Sequence, residues 1–137
     1  MFTPDLKKGD IISNNDIHEI FKCSTQGGMR RSNRTNTLVI ISDHTSEFYH
    51  DIWKGNVLHY TGMGKKGDQD LNNQNRTLYD SDTNGVSVFL FEKFKGNKYT
   101  FRGRVRLAEN PYRTEQLDFL GISRLVWVFP VRVIDDN

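Results

Sequence analysis

Short apolar runs and alternations predict a β-rich chain with two helices set between its strands. Residues 9–12 (GDII) read as a short opening strand. Ser13-Asn14-Asn15 then offers N-cap chemistry for a helix from about Asn15 to Lys22, with Ile17, Ile20 and Phe21 at i, i+3 and i+4 as its buried stripe. Residues 25–36 (TQGGMRRSNRTN) are polar and contain two glycines, so they read as a loop. Residues 37–41 (TLVII) are continuously apolar between turn residues, which predicts a buried strand, and 42–46 return to loop. A short strand over 57–60 ends in a Thr-Gly-Met-Gly turn. Residues 68–78 read as a helix, with Leu71 and Leu78 inward and Asn75 between them on the same face.

The second half reads as strand. Val86, Val88 and Leu90 alternate with Ser87, Phe89 and Phe91, so both faces are largely apolar and the strand is central. Lys95-Gly96-Asn97-Lys98 is a hairpin signal. Residues 99–107 alternate apolar positions against Arg102, Arg104 and Arg106, a half-buried strand whose outer arginines read as a solvated face, with DNA contact as the alternative. Residues 109–122 read as a long irregular connection, and 124–134 (RLVWVFPVRVI) close the sheet, with Pro130 marking an edge or a bulge. The expected fold class is α+β: a strongly curved mixed β-sheet or open β-barrel with two or three short flanking helices.

Composition sharpens this picture in two places. With 137 residues, 36% hydrophobic and 26% charged, the chain is a single globular domain (1–137) rather than a disordered one. Its 19 Lys+Arg against 17 Asp+Glu do not by themselves mark a nucleic-acid binder, but their distribution is uneven. Arg30, Arg31 and Arg34 lie in a stretch with no acid, as do Lys54, Lys65 and Lys66. One cysteine, Cys23, gives neither an internal disulfide nor a cysteine-rich zinc site, and reads as an inert thiol in a reducing compartment. No apolar run approaches 18 residues and residues 1–10 carry no signal-peptide core, which makes the cytoplasm the default location.

The candidate chemistry lies in residues 48–78. Phe48-Tyr49 and His59-Tyr60 bracket a single carboxylate, Asp51, and the Thr61-Gly62-Met63-Gly64 turn follows. Aromatic faces beside one hydrogen-bond acceptor suit a flat, polar ring: the ring stacks and the carboxylate accepts from its amino edge. In residues 25–36, Gly27-Gly28 lets a backbone approach closely, the arginines meet phosphates and Met29 serves as a wedge between bases; the alternative is an exposed connection with solvated arginines. Tyr60 and Asp51 have plain alternatives too, as a core tyrosine and a turn cap, and Trp53 reads as packing. His44, His50 and His59 lack the spacing of a metal or HNH centre. No nucleophile motif, P-loop or zinc pattern is present, so catalytic residues, metal ligands and cofactors are expected to be none.

Four ordered motifs carry a family resemblance. Arg31-Ser32-Asn33 precedes the strand 37–41; Asp51, Gly55-Asn56 and Tyr60-Thr61-Gly62-Met63-Gly64 follow; then come Asp68-Gln69-x-Leu71 and Asn75-Arg76-x-Leu78. Their order and spacing resemble the SRA (SET-and-RING-associated, YDG) domain, a PUA-like fold that reads 5-methylcytosine by flipping it out of duplex DNA. The GGMRRS and NVLHYTGMGKKGDQ stretches resemble the SRA-like domains of McrA-type HNH modification-dependent restriction endonucleases. The resemblance implies a flipped-base pocket in which Asp51 accepts from the cytosine amino group and Tyr60 stacks. Thr61 and Gly62 meet the base edge, Tyr49 or else Phe48 supplies the second ring, and Ser42, Asp43 and His44 replace the family's small residues nearby. It also implies a groove and phosphate surface of Gln26, Gly27, Gly28, Met29, Arg30, Arg31, Ser32, Arg34, Lys65 and Lys66, with residues 25–31 as the loop that fills the hole left by the base. Only Lys65-Lys66-Gly67 stands where the family carries a long finger. The expected function is a binding module, not an enzyme. It would recognise 5-methylcytosine or 5-hydroxymethylcytosine in double-stranded DNA and target a nuclease in cis or trans, in a prokaryotic cytoplasm and with no membrane. The alternative is a PUA-like reader of another modified nucleotide or an RNA base.

Overall fold

The computed structural model describes residues 1–46 and 50–134. Among them the elements are β1 (Ile11–Ile12), α1 (Asn14–Phe21), β2 (Met29–Ser32), β3 (Thr37–Asp43), β4 (Ile52–Lys54), β5 (Val57–Thr61), α2 (Asn73–Tyr79), β6 (Ser87–Lys95), β7 (Lys98–Leu107), β8 (Tyr112–Leu117) and β9 (Ser123–Val133). The main sheet runs β2-β3-β6-β7-β9-β5-β4, with β1 on β7 and β8 on β9. The β3–β6 pairing is parallel, while the neighbouring β2–β3 and β6–β7 pairings are antiparallel. This is the mixed, unclosed sheet with two helices that the apolar pattern predicts.

The alternation along β3 and β6 explains two cores. Leu38, Ile40, Val88 and Leu90 point to one face, with Leu58, Tyr60, Leu78, Phe129 and Val131. Val39, Ile41, Phe89 and Phe91 point to the other, with Ile17 and Phe21 from α1 and Phe101 from β7. The central place read for residues 86–91 is therefore correct. A capping box at Ser13 and Asp16 starts α1, and Lys22 in the left-handed region ends it. Cys23 is buried beneath α1 with its Sγ 3.8 Å from the Ile17 carbonyl; burial raises its pKa, with Arg30 opposing.

Four expectations need correction. Residues 25–36 are not one loop: β2 forms within them, because Arg30 and Arg31 pair as backbone with Val39 and Leu38 whatever their side chains. The helix expected over 68–78 is only α2; residues 68–72 stay irregular because the Asp68 and Gln69 side chains bond the backbone of β9. The connection 109–122 contains β8, a polar strand with no buried alternate positions, which explains its silence in the pattern. Pro130 lies within a strand flanked on both sides, where β9 exchanges β8 for β7: Val128 is opposite Tyr112, and Val131 is opposite Leu107. A residue without an N–H fits that hand-over.

Curvature brings the two edges of the sheet together without joining them as strands. The Tyr60 hydroxyl at the end of β5 donates to the Gly28 carbonyl just before β2, at 2.9 Å, and the same carbonyl accepts from Ile41 N–H on β3 at 2.7 Å. The result is an open seam between β5 and the β2–β3 edge.

Candidate nucleic-acid interface at the open seam

A cavity of about 430 Å³ occupies this seam. Residues 26–30 and Ile41 form one wall; Tyr60, Thr61, Gly62, Met63 and Lys65 form the other; Asp43, Asp51, Lys93 and Tyr99 complete it. Its volume falls in the range of ordinary small-molecule pockets.

Asp51 ties the two edges of the seam together. Its Oδ1 accepts from Thr61 N–H on β5 at 2.6 Å, and its Oδ2 accepts from Ser42 Oγ on β3 at 2.8 Å. Burial pushes its pKa up to about 6, against the opposing pull of these two bonds and of His44. The Thr61 side chain bonds it as well, and with about four acceptor sites on a carboxylate one is left for a ligand. Asp51 thus bridges β3 and β5 and also lines the cavity.

Behind Asp51 stands a second polar cluster. Glu92 is buried on β6 and accepts from Trp53 Nε1 at 3.1 Å, Arg102 Nε at 2.6 Å and His44 Nε2 at 2.7 Å. Burial alone would raise its pKa; the three bonds outweigh burial and hold it below the usual carboxylate range. His44 also stacks on Phe94, with centroids 4.8 Å apart. Trp53 and Arg102 are therefore structural partners of Glu92 rather than free packing and solvated groups.

The Thr-Gly-Met-Gly turn is held by side chains from two later segments. Gln69 Nε2 donates to the Gly62 and Gly64 carbonyls at 2.8 and 3.0 Å, while its Oε1 accepts from Trp127 N–H. Asn75 Oδ1 accepts from Met63 N–H at 2.8 Å, and its Nδ2 donates to the Met63 carbonyl at 3.0 Å. Arg124 on β9 donates to the Gly64 and Gly67 carbonyls. Gly62 is obligatory for this fit, since a Cβ there would sit 2.6 Å from Asn75 Oδ1 and 3.0 Å from the Phe129 ring.

The structure sorts the expected site residues. Asp51, Tyr60, Thr61, Gly62 and Asp43 come together on the cavity, as do Gln26, Gly27, Gly28 and Lys65. Ser42 and His44 stand behind it, bonded to Asp51 and Glu92. Tyr60 is a wall and a core residue at once, only 3% exposed. Phe48 and Tyr49 lie outside the described residues. Met29 cannot act as a wedge: it is 2% exposed, with its side chain in the core between β3 and α2. Arg30 is buried too, donating to the Gly27 carbonyl and Asn14 Oδ1, so it shapes the cavity wall instead of reaching outward. Arg31 is spent on the Ser32 and Thr37 carbonyls and on Asn36, and Ser32 is buried where its Oγ accepts from Thr35 N–H. Arg34 and Lys66 are exposed and do not line the cavity.

Tyr99, Lys93 and Met63 line the cavity too, and none of them was among the expected site residues. Lys93 Nζ lies 5.5 Å from the Tyr99 ring centroid and 4.0 Å from Asp43. Their register opposite one another, Lys93 on β6 and Tyr99 on β7, places them together. A hairpin reading over 95–98 predicts that adjacency but not the cavity beside it. Among the described residues no cluster of His, Cys, Asp and Glu could hold a metal ion, and no helix is long and apolar enough to cross a membrane.

Comparison with solved structures shows the same fold. The structure of the sulfur binding domain and SRA domain of ScoMcrA complexed with phosphorothioated DNA superposes with a TM-score of 0.78 at 17% identity, over 96% of this chain and 40% of that one. The type IV phosphorothioation-dependent restriction endonuclease ScoMcrA gives 0.78 at 15% identity, over 96% of this chain and 28% of that one. The SUVH5 SRA domain in complex with methylated CHH DNA gives 0.71 at 23% identity, over 99% and 94%. The chain thus spans well under half of the two ScoMcrA chains and nearly all of the SUVH5 domain. No curated protein matches its sequence. The model of the ScoMcrA-like SRA domain family matches residues 8–137, and this chain belongs to that family.

Proposed function

We propose that this domain binds duplex DNA carrying a modified cytosine and takes that base out of the stack into the seam cavity. The observation that carries the reading is Asp51: a buried carboxylate with an acceptor site to spare, fixed by Thr61 and Ser42 and lining the cavity with Tyr60. A cytosine entering there meets an acceptor for its amino group. The structural neighbour complexed with methylated DNA supports this ligand, whereas the one complexed with phosphorothioated DNA supports modified DNA only in general. In this reading Gln26 and Gly27, exposed on the loop before β2, approach the gap left by the base, and Lys65 and Lys66 meet phosphates. The modification read is 5-methylcytosine or 5-hydroxymethylcytosine. The domain serves a modification-dependent nuclease, in cis or in trans, in a prokaryotic cytoplasm and without its own catalytic centre.

The energetics fit such a module. Extruding a base costs a few kcal/mol, and stacking on an aromatic returns about 1–3 kcal/mol. A methyl in an apolar niche adds only about 1 kcal/mol, so phosphate contacts supply the remainder. Affinity should therefore fall steeply with salt, while preference for the modified base stays modest.

The test is a titration of matched duplexes carrying cytosine, 5-methylcytosine, 5-hydroxymethylcytosine or a phosphorothioate linkage, at two salt concentrations, against wild type and Asp51→Ala. Preference for a modified cytosine that disappears in Asp51→Ala is the expected result. Preference for the phosphorothioate, or equal affinity for all four in both proteins, would overturn the flipped-base reading.

A further inference from the structure

The β8–β9 hairpin ends in a tip whose side chains are unlike those of an ordinary turn. The sequence from Leu117 is LDFLGIS, and Leu117, Leu120 and Ile122 are 57%, 57% and 59% exposed. The turn itself is firmly specified. Asp118 is buried, and its Oδ1 accepts from Leu120 N–H at 2.8 Å and Ile122 N–H at 2.9 Å. Backbone bonds from Asp118 N–H to the Ile122 carbonyl and from Gly121 N–H to the Asp118 carbonyl close it, and Gly121 takes the left-handed conformation at φ +77°. A rigid turn that holds large aliphatic groups in solvent presents an apolar wedge.

The place of the wedge gives its partner. Just before the tip, Gln116 donates to Thr61 Oγ1 at 3.2 Å, beside Asp51 on the cavity. Across the hairpin, Arg124 holds the Gly64 and Gly67 carbonyls and so fixes the loop that carries Lys65 and Lys66, both exposed. The tip therefore projects from the rim of the cavity, next to two cations, while the carboxylate of its turn, Asp118, is buried against its own backbone. A nucleic-acid backbone across the cavity mouth would meet those lysines and run past the tip. Met29, which the sequence offered as a wedge, is locked in the core.

We propose that the tip formed by residues 117–122 is a second DNA-contacting element, whose aliphatic side chains enter the duplex beside the displaced base. Apolar side chains placed against a base step unstack it and bend the duplex, and the distortion favours extrusion of a neighbouring base. This inference rests on the modified-DNA reading and adds a requirement to it: the ligand must be a duplex, because a single strand has no step to open. The occupant is DNA; a second protein copy or another domain are the alternatives that the test separates.

The experiment uses the whole chain and a Leu120→Ser/Ile122→Ser variant, which changes only exposed side chains; an unchanged melting temperature confirms the fold. Both proteins are titrated with a duplex and with a single strand of the same sequence, each carrying the modified cytosine preferred by wild type. We expect the variant to lose about tenfold or more in duplex affinity, as befits an unstacking contact, with little change for the single strand. Equal duplex affinity in the two proteins would overturn the wedge while leaving the pocket reading intact. So would a wild-type dimer in sedimentation that the variant fails to form, since that assigns the tip to a second copy. Failure of the pocket reading is visible separately, as a wild type that does not distinguish modified from plain duplex.

Discussion

Asp51 carries the most chemistry of any single residue in this fold, and its titration can be read in both stability and binding. Its carboxyl is pushed up to about 6, whereas the same group in an unfolded chain titrates near 3.8. The folded protein therefore keeps a proton that the unfolded chain has released between about pH 4 and pH 6. Stability from this group is full below pH 4 and is lost as pH rises to about 6, on the order of 3 kcal/mol for a shift of about two units. Glu92 works in the opposite sense, its lowered pKa making acid unfavourable, so the isolated effect appears only in a comparison of variants. Asp51→Asn keeps an acceptor for Thr61 N–H and removes the charge. It should melt higher than wild type at pH 8, with the gain shrinking toward pH 4; an equal gain at both ends would show that Asp51 does not titrate as described. Binding should follow the same proton. The cytosine edge offers a donor and an acceptor, and a protonated carboxyl matches both where a carboxylate matches only the donor. Affinity for the modified duplex should rise from pH 8 to pH 6 in wild type and stay flat in Asp51→Asn, measured at constant salt. The sequence exposed Asp51 through its aromatic neighbours, and the family resemblance named Ser42 and His44 beside it, but not Glu92, which only folding brings behind them from β6.

At the level of elements, the clamp on the Thr-Gly-Met-Gly turn explains why residues 68–78 misled the pattern. Their apolar positions at Leu71 and Leu78 fit a helix, yet the first five residues do another job: Gln69 bridges the turn to Trp127 N–H, and Asp68 accepts from Leu125 N–H. Hydrophobic periodicity records burial but is blind to side chains that satisfy a distant backbone. For the same reason β2 and β8 were illegible while β3, β6, β7 and β9 stood out by their runs or alternations of apolar residues. The clamp makes two predictions. Asn75→Leu removes the partner of both Met63 N–H and the Met63 carbonyl in a buried site, and should cost about 2–5 kcal/mol in a denaturant titration, a penalty for two lost buried partners. Gly62→Ala puts a methyl against Asn75 Oδ1 and Phe129, an overpacking that should cost about 1–3 kcal/mol. Both variants, where folded, should lose preference for modified cytosine, because Thr61 N–H and Asp51 move with the turn. A Gly62→Ala protein as stable and as selective as wild type would show that the turn has slack the distances do not suggest.

Over the whole molecule, the sheet is held as a unit by its strands but across the seam by side chains. The two cores lie on opposite faces of β3 and β6, and the first reaches the seam through Met29 of β2 and Tyr60 of β5, which line the cavity. The edges meet through the Tyr60–Gly28 bond and through Asp51 between Ser42 and Thr61. Such a gap can be reshaped with little loss of global stability, since strand pairing and both cores stay intact. Tyr60→Phe separates the two quantities. It keeps the ring in the core and removes one hydrogen bond, so unfolding free energy should fall by only about 1 kcal/mol, with an unchanged denaturant slope. The Gly28 carbonyl keeps its bond from Ile41 N–H, which limits the damage. The loop 25–28, however, loses its link to β5, and the cavity wall formed by Gln26, Gly27 and Gly28 is freed on that side. Duplex affinity should then drop by more than the stability change accounts for, while the salt dependence, set by lysines the substitution does not touch, stays as in wild type. A salt slope that changes with Tyr60→Phe would place phosphate contacts on the loop 25–28 itself. An affinity that does not change would mean that the seam needs no bridge from Tyr60 to hold its ligand.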